Sequence, residues 1–232
     1  MIELDPAMVA MPMPCTVRPM RREDIPQVSA IDRQAFPTQW PPPPFRRDLD
    51  SRTVHYLVAL EETDKPQPGI EATEPRSKGK LQRLMSRAGA LFGVCHPAGD
   101  RDVRSEDDIV GYAALWLMVD EAHLTSIAVR ESHRRKSIGE LLLISVIDLA
   151  MQLKAQVVTL ETRVSNLPAQ ALYEKYGFAK VGMRRRYYSD NGEDAVIMTT
   201  ENIASATYES RFQSLKRSCL ERCGETHTVR QD

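Results

Sequence analysis

Cysteine is the first thing this 232-residue chain has little of: Cys15, Cys95, Cys219 and Cys223 are scattered along it. That usage suits a reducing compartment, the cytoplasm, and not a disulfide framework. Cys219 and Cys223 fall at helical spacing, but no further thiol or histidine pair completes a ligand set, so no metal site is expected. Charge of one sign is also missing. Lys and Arg number 31 against 32 Asp and Glu, interspersed, which excludes a bulk electrostatic pull toward nucleic acid or membrane and leaves any such affinity to local clusters. No apolar run approaches the roughly 18 residues of a membrane span. The opening MIELDPAMVAMPMPC has acids and prolines where a secretory leader needs a basic start and an unbroken apolar stretch. Both common phosphate motifs are absent as well, the Walker A loop GxxxxGK[ST] and the dinucleotide fingerprint GxGxxG.

What is present alternates strand and helix. Residues 1–14, rich in Met and Pro and without period, read as a flexible leader. A short strand over 15–19 is followed by a helix with Asp24 as its cap, Pro26 in its first turn, and Ile25, Val28, Ile31 and Ala35 on one stripe. Phe36, Trp40 and Phe45 surround a run of four prolines, a stiff loop that a helix can leave at Phe45. Residues 54–60 read as a strand with His55 on its surface.

Residues 61–108 break the pattern with Pro, Gly and charged residues, an insertion between two strands. Inside it, 80–92 places Leu81, Leu84, Met85, Ala88 and Phe92 at helical spacing beside Lys80, Arg83 and Arg87. Such a basic amphipathic helix suits a partner, an anionic lipid or RNA. Strands then follow over 109–119 and 123–129, joined by a tight hairpin at Asp120-Glu121. A helix over 137–153 is expected to bury Ile138, Leu141, Leu142, Ser145, Leu149 and Met151 or Leu153. A strand over 157–162 leads to a helix from Asn166 to Tyr176 that Gly177 ends. A last hairpin, 178–188 with 195–200, turns at Asp190-Asn191-Gly192, and a helix over 203–223 precedes a disordered end. This order predicts a mixed α/β sheet with helices on its faces.

The stretch from Thr125 to Phe178 carries the chemistry. Arg134, Arg135 and Lys136 precede Ser137, Ile138 and Gly139 where a strand turns into a helix. Free N–H groups and the positive helix end there favour an anion, and a pyrophosphate is the natural guest. By itself this is a weak signal. The weight comes from HLTSIAVRESHRRKSIGELLL, LETRVSNLPAQALYEKYGF and RRRYYSDNGEDAVIM in that order. Together they resemble the GNAT superfamily of acyl-CoA-dependent N-acetyltransferases, within it the RimI type that acetylates the N-terminal alanine of a small-subunit ribosomal protein.

The resemblance covers about 16–201 outside the insertion. It implies a single catalytic domain over 15–201 and a mostly antiparallel central sheet in which one parallel strand pair splays to admit acetyl-CoA. It implies that Ile127, Ala128 and Val129 pair with the pantetheine amides and that the turn from Arg134 to Gly139 holds the pyrophosphate. The family motif [RQ]xxGx[GA] maps onto Arg134, Ser137 and Gly139, with serine in place of the first glycine. If that site needs a positive φ, serine costs stability or affinity; if it is helical or an N-cap, serine is tolerated, and this second reading is the one expected. Asn166 would contact the cofactor arm or simply cap its helix.

The resemblance further makes Glu161 the general base and Tyr173 the acid that protonates the departing thiolate. Phe36 and Pro37 would close over the acceptor, and Tyr187 and Tyr188 would line its cleft, one of the two facing it directly by strand alternation. The acceptor is then a protein N-terminus, a ribosomal protein among the choices; a small amine, or no catalysis at all in an acyl-CoA-binding module, are the rival readings.

Overall fold

The computed structural model describes residues 15–38, 41–61 and 108–223. The leader, Trp40, the basic segment 80–92 and the end after Cys223 lie outside the described residues. One seven-stranded sheet organises the described residues. Its strands are β1 (Cys15–Pro19), β2 (Val54–Glu61), β3 (Asp108–Met118), β4 (Glu121–Val129), β5 (Val157–Arg163), β6 (Phe178–Arg184) and β7 (Ala195–Thr200), in the order β1-β2-β3-β4-β5-β7-β6. All neighbours are antiparallel except β4 and β5. The helices are α1 (Ile25–Ala35), α2 (Phe45–Asp48), α3 (Ile138–Gln152), α4 (Leu167–Lys175) and α5 (Ala206–Cys223).

Two cores sit on opposite faces of the sheet. On one, Val28 and Ile31 of α1 and Phe45 of α2 pack on Tyr56, Val58, Tyr112 and Ala114. Phe45 meets the rings of Tyr56 and Tyr112 edge-on, at centroid distances of 5.3 and 6.2 Å. On the other, α3 buries Leu142, Leu143, Val146 and Ile147 against Leu57, Ala113, Leu115, Val158 and Leu160. The stripe expected on α3 is too narrow. Leu143, Ile144, Val146, Ile147 and Ala150 are buried as well, because α5 joins the same core through Tyr208, Phe212 and Cys219, and Lys216 pairs with Asp148 at 2.6 Å. The core therefore continues past Glu201, where the sequence suggested the domain would stop.

Several local expectations change for identifiable reasons. Asp24 sits before α1 but does not cap it. Its carboxylate takes both Nη atoms of Arg18, at 2.6 and 3.0 Å, and the Arg21 N–H at 2.7 Å, which satisfies a nearly fully buried charge better than one cap bond would. His55 is half buried, with burial lowering its pKa, and does not lie on the surface. The hairpin between β3 and β4 turns one residue earlier than expected, at Val119-Asp120, with Val119 at φ 55°.

At the other end, β6 stops at Arg184, so the connection to β7 is a long loop and not a tight Asn-Gly hairpin. Arg163 draws that loop to itself through Asp190 at 2.8 Å, Asn191 at 3.1 Å and Glu193 at 3.2 Å, and Asp194 takes the N–H of Arg186, which stands at φ 51°. Those side-chain anchors outweigh the turn preference of a single dipeptide.

Candidate active site

The site begins where the parallel pair comes apart. β4 and β5 match only at Glu121↔Val157, Ala122↔Val158 and His123↔Thr159. The next residue of β4 explains the separation. Ala114 opposes Ser126 while Leu115 opposes Leu124, so Thr125 is an extra residue, a bulge whose hydroxyl donates to Ala114 O at 3.2 Å. A bulge bends and twists its strand. Beyond it Ile127, Ala128 and Val129 stay paired to β3 on one side, while the ladder to β5 has already ended. The open strand edge offers N–H and C=O groups to a linear amide.

At the far end of β4 the chain passes a short 3₁₀ turn, Glu131–His133, into α3. Arg135 and Ser137 both adopt the left-handed region, at φ 66° and 60°. Ser137 is the N-cap residue, yet its side chain makes no capping bond. The favoured reading of serine as a tolerated cap is thus corrected: the position needs the positive φ that glycine supplies without strain. A Cβ on Gly139 would meet only Val129 Cγ2, at an ordinary 3.8 Å, so the protein itself leaves that space open. Backbone turns of this kind, at a helix N-terminus with Arg134 and Arg135 exposed beside it, fit a pyrophosphate.

Glu161 stands on β5, two residues past the last matched pair, on the face that α1 covers. Its side chain is 8% exposed, with Oε2 2.6 Å from His123 Nε2 and Oε1 2.9 Å from Arg184 Nη2. A carboxylate only accepts, so the imidazole Nε2–H donates and the neutral ring keeps its lone pair on Nδ1. His123 is the residue that sequence reading missed: it was placed only as part of a strand. Its signal was a lone polar ring in an apolar strand, meaningful once the register sets it beside Thr159. Trp116, opposite His123 on β3 and 45% exposed, was hidden in the uniformly apolar run of that strand.

Tyr173 lies on the opposite face, in the α3 core, 6% exposed and tilted against Phe178 at 5.7 Å. Burial, with a smaller contribution from Tyr188, pushes its pKa up to about 12. Tyr187 and Tyr188 are not strand residues, so alternation does not choose between them. Their rings meet edge-on at 5.2 Å, Tyr188 under the guanidinium of Arg163 at 3.8 Å and Tyr187 near that of Arg184 at 5.6 Å. Burial pushes Tyr188 to about 12, against the pull of Arg163 and with help from Tyr187, Glu161 and Glu193.

Asn166 caps α4, its Oδ1 accepting from Ala169 N at 3.3 Å. Its Nδ2 has no partner among the described residues and remains available to a ligand. Phe36 ends α1 half buried on the sheet and Pro37 is exposed. The buried Asp32 of α1 accepts from Tyr112, which also bonds Ser126, so this end of α1 borders the splay. No group of three His, Cys, Asp or Glu among the described residues could hold a metal ion.

Comparison with known proteins agrees with this geometry. Residues 73–178 match the model of the Acetyltransferase (GNAT) family. A Bacillus subtilis (strain 168) protein provisionally named [ribosomal protein bS18]-alanine N-acetyltransferase is 32% identical over 183 residues, 78% of this chain and 92% of its own. The chain belongs to the GNAT family. An N-alpha-acetyltransferase of Saccharolobus solfataricus is also 32% identical, over 79% of this chain and 90% of its own. Among solved structures, the ribosomal-protein-S18-alanine N-acetyltransferase of Escherichia coli shares the GNAT fold with TM-score 0.57 and 24% identity, over 83% of this chain and 96% of that one. A GNAT acetyltransferase of Elizabethkingia anophelis, solved with acetyl-CoA bound, has TM-score 0.53 and 18% identity over 81% and 98%. The protein is an N-acetyltransferase with acetyl-CoA as its donor.

Proposed function

We propose that this GNAT enzyme acetylates the N-terminal α-amine of a protein by direct transfer, in the cytoplasm. The observation that carries the reading is Glu161, hydrogen-bonded to His123 just past the point where β4 and β5 part. Two relatives named as acting on a protein N-terminus or a ribosomal-protein alanine support the choice of acceptor. So does the chemistry, since an α-amine of pKa about 7.7–8.0 is partly neutral at pH 7, whereas a lysine near 10.4 is not. Cys15 and Cys219 are buried thiols, which suits a reducing compartment. No helix among the described residues is long and apolar enough to cross a membrane.

Acetyl-CoA supplies an acetyl thioester to the site. Arg134 to Gly139 hold its pyrophosphate at the N-terminus of α3, Ile127 to Val129 pair with its amides, and Asn166 Nδ2 donates to its arm. The His123–Glu161 pair takes a proton from the acceptor nitrogen, with Nδ1 or a bridging water as the contact and the carboxylate fixing the tautomer. The C–N bond forms as the C–S bond breaks, and Tyr173, kept neutral by burial, gives its proton to the leaving sulfur. Phe36, Pro37, Tyr187 and Tyr188 border the acceptor. The catalytic unit runs from residue 15 through α5.

Mass spectrometry of peptides beginning Ala, Ser or Met after incubation with acetyl-CoA is the test. Addition of one acetyl group at the N-terminal nitrogen is the expected result. Acetylation confined to a panel of polyamines and aminoglycosides would replace this reading, and acetyl-CoA binding without turnover on any amine would end it.

A further inference from the structure

Glu161 is covered by a residue that the mechanism does not use. Of its two carboxylate oxygens one is taken by His123, and the other carries the guanidinium of Arg184 at 2.9 Å. Burial is very unequal across this ion pair: 8% exposure for the Glu161 side chain and 54% for Arg184. Arg184 ends β6, an edge strand in which every residue after Phe178 is exposed, and its guanidinium meets the carboxylate and lies near the ring of Tyr187. A half-exposed ion pair of this kind is held weakly.

The same position is what an acceptor needs. A peptide α-ammonium brings one positive charge and three N–H donors to a nearly buried carboxylate, near the partly exposed ring of Tyr187, which favours a cation. Leaving Glu161 with no counter-charge carries a cost between turnovers, moderate here because His123 still bonds the carboxylate and Arg184 is half exposed. A resident cation removes that cost, and exchanging it for the substrate's cation keeps the charge count of the site constant.

We propose that Arg184 occupies, in the free enzyme, the seat of the acceptor's α-ammonium on Glu161, and that acceptor binding is an exchange of one cation for the other. The inference rests on Glu161 being the acceptor-side carboxylate. Once seated, the ammonium passes one proton through the His123–Glu161 pair to solvent and becomes the neutral nucleophile; the second proton, lost as the C–N bond forms, goes to the same pair. Arg184 is therefore a specificity residue: a blocked or amine-free N-terminus cannot displace it.

The test measures binding to the CoA-saturated enzyme of an Ala-initiated peptide and of the same peptide with its α-amine replaced by hydrogen. Arg184→Gln is expected to tighten binding of the amine form about three- to fivefold and leave the amine-free form unchanged. Arg185→Gln, the same loss of charge one residue away, should shift the amine form far less, and thermal unfolding confirms that both variants fold. In a Glu161→Gln background the effect of Arg184→Gln should vanish. Weaker binding of the amine form in Arg184→Gln, equal shifts for both peptides, or no binding of the amine form by either enzyme would overturn the proposal. Full turnover by Glu161→Gln would instead remove the role of Glu161 in catalysis, a separate failure read in the acetylation assay.

Discussion

The imidazole of His123, on β4, lies 2.6 Å from the carboxylate of Glu161, on β5, across the last rung of the only parallel ladder in the sheet. With Nε2 committed to the carboxylate, His123 keeps Nδ1 as its basic nitrogen. His123→Asn should then lower kcat by about 10² while leaving the thermal shift caused by acetyl-CoA in place. Unimpaired turnover in that variant would mean that Glu161 takes the proton through water without the ring.

Tyr173 is held neutral by burial, with its pKa near 12. As an acid it stays protonated across the physiological range, so no alkaline loss of rate should arise from it below about pH 11. Tyr173→Phe keeps the packing against Phe178 and removes the proton. Its kcat should fall by about 10² or more with the KM for acetyl-CoA little changed, measured by release of free CoA thiol.

Ser137 and Gly139, two residues apart in one motif, make separate predictions. Ser137→Gly relieves a left-handed residue and should raise Tm by about 2–4 °C, near 1 kcal/mol, with acetyl-CoA affinity equal or higher. Gly139→Ala improves helix propensity by up to about 1 kcal/mol and meets no protein atom closer than 3.8 Å, so the apo protein should be as stable or more so. Its acetyl-CoA affinity should stay within about twofold, because the family motif accepts alanine at this place and the added methyl meets only Val129 Cγ2. Calorimetric titration beside thermal unfolding separates the two effects.

Asp32 is buried, and desolvation raises its pKa despite the hydrogen bond from Tyr112 and the charge of Arg33. A raised folded-state pKa means that the stability of the protonated form is fully present below about 3.8 and is lost as pH rises through the folded value. Asp32→Asn keeps an acceptor for Tyr112 without the charge. It should raise Tm at pH 7, and the gain should shrink as pH falls toward 4. A constant difference across that range would show that the charge is not the cause.

Legibility in the sequence followed the range of the physics. The Asn166 cap, Gly177 at φ 85° after α4, and the strand and helix periods of β2, β5 and α3 are decided by residues within a turn or two of one another. They could be read directly. The segment proposed to hold the cofactor could be named from sequence for the same reason: the strand, the turn and the helix start from Ile127 to Gly139 form one continuous run.

What is assembled from distant segments could not be read. Tyr187 and Tyr188 left their expected strand because Arg163, more than twenty residues upstream, holds Asp190 and Glu193 in a loop. Hydrogen bonds from Ser165, and then from Arg163 and Asn191, hold Glu193 down to about 2. The bulge at Thr125 is set by its register with β3, and it opens the splay. By itself the sequence determined most of the elements and the basic turn that leads into α3, since each depends on local backbone preference and side-chain chemistry. Only the tertiary structure decided that His123 and Arg184 share Glu161, and that Tyr173 waits on the far face: strand register and burial, which no local pattern encodes, bring those groups together.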